Sequence, residues 1–110
     1  MIEQEWQTVC ELTDIAPNTG VCALHLGQQV AVFRVGPEDR LFAIQNYCPF
    51  GEANVLSRGI VGDVNGRLVL ASPLYKQQFC LESGLCLEDE AVALTTFGVR
   101  LDKQLVQLSC

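Results

Sequence analysis

The chain has 110 residues, 49% of them hydrophobic and 18% charged. That composition excludes a disordered segment, and the length predicts one domain, residues 1–110, built around one core. Thirteen acidic residues against seven basic ones give a formal charge of −6. This excludes a nucleic-acid surface, because affinity for a phosphate backbone rests on Lys and Arg. The single histidine, His25, excludes chemistry that needs several imidazoles.

The first residues, Met1-Ile2-Glu3-Gln4-Glu5-Trp6, begin acidic and lack the basic and apolar regions of an export signal. Residues 15–33 carry no Asp, Glu, Lys or Arg, yet Pro17, Asn18, Gly20, His25, Gln28 and Gln29 make the stretch too polar for a membrane span. These features predict a cytoplasmic protein without membrane association. Residues 21–26 alternate, with Cys22, Leu24 and Leu26 on one face and Val21, Ala23 and His25 on the other. Gly27-Gln28 is predicted as a two-residue hairpin turn. A strand over 29–35 follows, turning Ala31, Phe33 and Val35 to one side and Val30, Val32 and Arg34 to the other. Residues 36–39 turn the chain into a strand over 41–45. The Asn65-Gly66 pair leads into a strand over 67–71. After Ser83-Gly84, strands are predicted over 91–97 and 99–101, and Asp102-Lys103 turns into a strand over 104–108. Helical periodicity is weak and confined to 52–58. Short period-two runs separated by turn residues define a small all-β fold.

Most of the reactive side chains have bland readings. Glu38-Asp39 and Glu88-Asp89-Glu90 are charge runs at turns, suited to a solvated face rather than to general acid catalysis. Gly59-Ile60-Val61-Gly62 lacks the spacing of a phosphate-binding loop. His25 lies within an apolar strand and reads as a hydrogen-bonded structural residue. The six cysteines, Cys10, Cys22, Cys48, Cys80, Cys86 and Cys110, read as reduced thiols and small buried hydrophobes. Cys80 and Cys86 are the nearest pair, with five residues between them. That is too wide for the C-x2-C spacing of zinc and iron–sulfur sites and for a C-x-x-C redox motif.

Two segments break the strand rhythm, residues 46–59 and 71–84, and each carries an X-Pro step near its start, Cys48-Pro49 and Ser72-Pro73. Loops on a rigid β scaffold are favoured places for function. The two loops resemble those of Rieske-type [2Fe–2S] domains, in which one loop carries C-x-H and the other C-x-x-H, two Cys binding one iron and two His the other. On that template Cys48-Pro49-Phe50 occupies the first motif and Ser72-Pro73-Leu74-Tyr75 the second. Cys48 remains, but Phe50, Ser72 and Tyr75 stand where His, Cys and His would be. The interval between Phe50 and Ser72 is also longer than the usual Rieske spacing. One imidazole cannot supply the two that such a centre takes, and Phe50 and Tyr75 can fill the vacated space.

The blocks Asn46-Tyr47-Cys48-Pro49-Phe50, Ala53-Asn54-Val55-Leu56-Ser57-Arg58-Gly59-Ile60-Val61-Gly62-Asp63, Ala71-Ser72-Pro73-Leu74-Tyr75-Lys76-Gln77 and Cys86-Leu87-Glu88-Asp89 resemble, along the full chain, the small-subunit family of NAD(P)H-dependent assimilatory nitrite reductases. The resemblance implies a Rieske-like fold with the two former cluster-binding loops at one tip. It also implies no catalytic residue, cofactor or metal on this chain. The same resemblance implies a large catalytic subunit as partner, carrying FAD, an iron–sulfur cluster and sirohaem and reducing nitrite to ammonium. Cys48, Phe50, Ser72 and Tyr75 are then vestigial ligand positions, while Tyr47, Arg58, Leu74 and Lys76 are the candidate partner contacts. Two other readings remain open. One is a ferredoxin-like electron carrier whose unconventional cluster uses Cys48, Cys80 and Cys86, and the other is a thiol redox protein using Cys80 and Cys86.

Overall fold

The computed structural model describes residues 5–73 and 77–109. Among them the strands are β1 (Trp6–Glu11), β2 (Thr19–His25), β3 (Gln28–Val35), β4 (Arg40–Gln45), β5 (Tyr47–Cys48), β6 (Ala53–Asn54), β7 (Ile60–Val64), β8 (Arg67–Ala71), β9 (Gln78–Cys80), β10 (Thr96–Phe97), β11 (Val99–Asp102) and β12 (Leu105–Ser109). Single 3-10 turns occupy Leu12–Asp14 and Leu56–Arg58. No helix among the described residues is long and apolar enough to cross a membrane.

A four-stranded antiparallel sheet, ordered β10-β4-β3-β2, forms the middle layer. Its central strand β3 reads as an almost continuous apolar run because both of its faces are buried. Ala31, Phe33 and Val35 enter one core with Phe42, Ile44, Leu70 and Phe79, against the sheet β7-β8-β9. Val30 and Val32 enter a second core with Ala43, Val106 and Leu108, against the sheet β1-β12-β11. The two faces predicted for residues 29–35 are thus the two faces observed. Arg34 is the polar exception, bonding Asp39 at 2.8 Å and the Ile15 carbonyl at 2.9 Å.

Several boundaries differ from the sequence expectation. The β2–β3 turn is Leu26-Gly27, one residue earlier than predicted, with His25 paired to Gln28 and φ values of +51° and +77° in the turn. Burial of His25 and Val30 on the same face fixes this register, since a one-residue slip would send both to the opposite face. The last hairpin turns at Lys103-Gln104 rather than Asp102-Lys103, since Asp102 pairs with Leu105. Only Thr96–Phe97 of the predicted 91–97 strand joins β4. Residues upstream bend around the acidic turn, where Val92 donates to the Asp89 carbonyl at 3.0 Å and Leu94 to the Gly84 carbonyl at 2.8 Å.

Strands β1 and β7 were absent from the prediction, as was the two-residue pair β5 and β6. A register shift between Thr8 and Cys10 spoils the alternation of β1, and Gly62 and Asp63 dilute the apolar signal of β7. The weak helical signal over 52–58 reduces to the 3-10 turn Leu56–Arg58.

Candidate functional site

The two irregular loops are joined at their bases. Gly59 lies against the last residues of β8, so close that a Cβ there would be 2.5 Å from the Ala71 carbonyl oxygen. The first loop closes on itself through β5 and β6, with Tyr47 opposite Asn54 and Cys48 opposite Ala53. Beneath it lies Asn46, which is buried. Its backbone N–H donates to the Gln29 carbonyl at 3.1 Å, and its side-chain amide donates to Gln29 Oε1 at 3.0 Å, to the Asn54 carbonyl at 3.2 Å and to Cys22 Sγ at 3.5 Å. Its two oxygens accept the N–H groups of Leu56 at 3.0 Å and Ser57 at 2.7 Å. Those are donors that the first turn of a helix leaves without an internal partner. Val55, which precedes that turn, has no side-chain oxygen to serve them. Asn46 therefore caps the 3-10 turn from ten residues upstream in chain order and ties the loop to the β2–β3 hairpin.

Cys48 and Ser72, the residues before the two prolines, are both buried and meet with Sγ and Oγ 3.5 Å apart. The Gly51 N–H donates to Cys48 Sγ at 3.4 Å, and the Ser72 N–H donates to the Gln77 carbonyl at 2.8 Å. Phe50 is half-buried and lies tilted on Phe79, ring centroids 6.1 Å apart, packed against the first core. Two of the four predicted ligand-position residues, Cys48 and Ser72, thus meet, and Phe50 packs against the core that Cys48 joins. The fourth, Tyr75, lies outside the described residues, as do the candidate contacts Leu74 and Lys76 and the thiol of Cys110. Tyr47 and Arg58 are exposed, Tyr47 at 42%.

The arrangement does not fit a two-iron centre of the Rieske kind. The one imidazole of the chain, His25, is 1% exposed and spent elsewhere, with Nε2 2.8 Å from the Ser109 carbonyl and Nδ1 2.8 Å from Gln7 Oε1. It fastens β2 to β1 and β12, as its position in an apolar strand predicted. Antiparallel pairing also separates the two nearest cysteines. Phe79 stands opposite Cys86 and turns with it into the first core, so Cys80 faces the other side of β9, opposite Val69. Burial pushes the Cys80 thiol up. The Ser83 hydroxyl and the backbone N–H groups of Ser83 and Glu82, with the charge of Arg67, outweigh that and hold it below its ordinary value. Among the described residues, no group of three or more His, Cys, Asp or Glu side chains gathers as a metal site.

Sequence reasoning quoted Asn46 within a motif but gave it no role. The available signal was a second amide, after Gln45, at the end of the strand predicted over 41–45, where a buried polar group must find several partners.

The fold and loops define a class. Residues 5–109 match the family described as a Rieske-like [2Fe-2S] domain. The nitrite reductase (NADH) small subunit of Salmonella typhimurium is 50% identical over 104 residues, 94% of this chain and 96% of that one. The solution structure of the E. coli protein NirD is 45% identical with a TM-score of 0.90, covering 98% of each chain. A protein of Klebsiella oxytoca named nitrite reductase [NAD(P)H] large subunit contains a related segment, 38% identical over 97 residues, which is 88% of this chain and 10% of that one. The chain belongs to the Rieske-like family and, within it, to the nitrite reductase (NADH) small subunits.

Proposed function

We propose that this chain is a non-catalytic accessory subunit of an NAD(P)H-dependent nitrite reductase, which reduces nitrite to ammonium for assimilation in the cytoplasm. The observation that carries the reading is the disposition of His25, the chain's one imidazole, whose ring nitrogens face Gln7 and Ser109 rather than the Cys48–Ser72 loops. Phe50 stands at a ligand position of the first motif and lies on Phe79, which supports reading Cys48, Phe50, Ser72 and Tyr75 as vestigial ligand positions. FAD, an iron–sulfur cluster and sirohaem belong to a large subunit, which holds the catalytic residues. The Klebsiella oxytoca relative supports such a partner, because there the related segment is part of a chain named the large subunit. Tyr47, Arg58, Leu74 and Lys76 are candidate contacts on the loops.

The test is co-expression with the cognate large subunit, compared with the large subunit alone. The small chain, purified without oxygen, is expected to be colourless and iron-free, and its omission to lower either nitrite turnover or the stability of the large subunit. Unchanged turnover and unchanged stability without this chain would refute the reading. A brown chain with about two irons would favour an electron carrier instead.

A further inference from the structure

The edge of the middle sheet carries apolar side chains that stay exposed even though β1 and the 3-10 turn Leu56–Arg58 pack near β2. Strand β2 is the last in the order β10-β4-β3-β2. Its outer residues Leu24 and Leu26 are 71% and 64% exposed, and Tyr47, which follows the Asn46–Gln29 backbone bond at the same end of the sheet, is 42% exposed. Cys22 is exposed as well. The first core stops short of this corner, since Cys22 and Leu24 pair with Ala31 and Gln29, of which only Ala31 is in the core.

Leu26 also breaks a local rule. It sits at φ +51° in the first position of a two-residue turn with Gly27 at +77°, a geometry that favours Asn or Asp there. The equivalent position of the β7–β8 turn is Asn65, at +54°. A branched apolar side chain in the left-handed region, held out in water, has no packing reason within the chain.

Charge and backbone point the same way. No Asp, Glu, Lys or Arg occurs in residues 15–33, in a chain that carries twenty such residues. Exposed edge strands are ordinarily guarded by Lys, Pro or bulges against pairing with another chain, and β2 has none of these. His25 and Gln28 close the hairpin, so the hydrogen-bonded pairs on β3 are those of His25, Ala23 and Val21. The N–H and C=O groups of Cys22 and Leu24 consequently point away from β3. Ile60, at 74%, is the rival exposed residue, but it stands between Arg58 and Asp63 with no second exposed large apolar residue beside it in sequence.

We propose that β2 and the tip Leu26-Gly27 form the docking edge for the large subunit, which adds an extended segment with uncharged, alternately apolar side chains alongside β2. Leu24 and Leu26 are the anchors. This deepens the accessory-subunit reading and rests on it. The occupant is the large subunit because the Klebsiella oxytoca relative carries this domain within that chain. What is joined there in one polypeptide is here divided between two chains, and an uncharged apolar centre is what an interface between them requires.

The test uses the full-length chain and the large subunit that co-purifies with it, with affinity read by titration. Leu24→Lys/Leu26→Lys is expected to weaken binding at least about tenfold while leaving the melting temperature within a few degrees, since both side chains are exposed. Leu26→Asn is expected to raise the melting temperature, because Asn tolerates positive φ, yet to weaken binding severalfold. A structural role would move both in the same direction. The amides of Cys22 and Leu24 should exchange rapidly with deuterium in the free chain and slow at least about tenfold in the complex.

If the wild-type chain binds no large subunit, the accessory-subunit reading itself falls. Wild-type binding that both variants retain in full overturns the edge proposal alone, as does loss on Ile60→Lys with the hairpin variants intact. Slow exchange of the two amides in the free chain, or a dimer abolished by the Lys variant, overturns it too, assigning the edge to this chain or to a second copy.

Discussion

The first loop is held very differently at its base and at its tip. At the base, Asn46 is buried with every side-chain polar atom engaged, and it supplies acceptors to Leu56 and Ser57 while donating to Gln29 and Asn54. At the tip, Cys48 and Ser72 touch at 3.5 Å through a thiol and a hydroxyl, a weak hydrogen-bonding pair. Shape is imposed from below. The contrast teaches where this loop takes its form: from a connected set of amide hydrogen bonds beneath it rather than from the contact at its tip.

The sharpest way to break that contrast is at the base. Asn46→Ala should cost roughly 2–4 kcal/mol in chemical denaturation, because it empties a buried position and leaves the half-buried Ser57 N–H without its acceptor. It should also speed amide exchange of Leu56 and Ser57 more than elsewhere. A loss under about 1 kcal/mol would show that the base does not govern the loop.

At the tip, Cys48→Ala should cost less, about 1–2 kcal/mol, reflecting the vacated sulfur volume in a core position rather than a broken bond. Cys48→Ser is expected to be the worse of the two, because it buries a stronger polar group beside Ser72. Reversal of the order between Asn46→Ala and Cys48→Ala would locate the support of the loop in the tip.

A locally capped turn provides the control. In Leu12–Asp14, the Asp14 carboxylate accepts the Glu11 N–H at 2.9 Å, all within four residues. Asp14→Ala should therefore cost only about 0.5–1 kcal/mol and leave the two loops' exchange unaltered.

The smallest effect is expected at Cys80, on the far side of β9 from the loops. Its thiol is held below its ordinary value of 9.0, so the folded chain binds that proton less tightly than the unfolded one. The stability this supplies is absent at low pH, enters as pH rises through the folded value and is complete above the unfolded value. Relative to Cys80→Ser, the wild type should gain in urea midpoint as pH rises toward the ordinary thiol value of 9.0. Cys10 acts oppositely, raised by burial and by the Asp14 carboxylate, which is why the comparison needs the Cys80 variant rather than a single pH profile.

The distance over which a residue finds its partners decides what could be read from the chain. The two faces of β3 were legible, because alternation is local and both faces are apolar, and the structural role of His25 followed from its apolar strand. The Asn65-Gly66 turn was legible from the pair itself. The Leu26-Gly27 turn was not, since a leucine gives no turn signal and the register comes from His25 bonding Gln7 and the Ser109 carbonyl, 18 and 84 residues away. The 91–97 region looked like a strand because it opens on a short apolar run, yet the Leu94 bond to the Gly84 carbonyl draws the chain aside until Thr95 meets Gln45 at the end of β4. In the loops, the approach of the Cys48 turn to the Ser72 turn was anticipated through the family resemblance. The role of Asn46 was not, because its partners come from β3, β6 and the 3-10 turn.

Gly59 carries the last consequence. Because a methyl group at that position would collide with the Ala71 carbonyl and the Leu70 side chain, the spacing of the two arms is fixed where they leave the packed sheets, as the pivot of a pair of tongs fixes its jaws. Substituting alanine there would act as a wedge, prying the jaws apart from behind without touching any residue at their points.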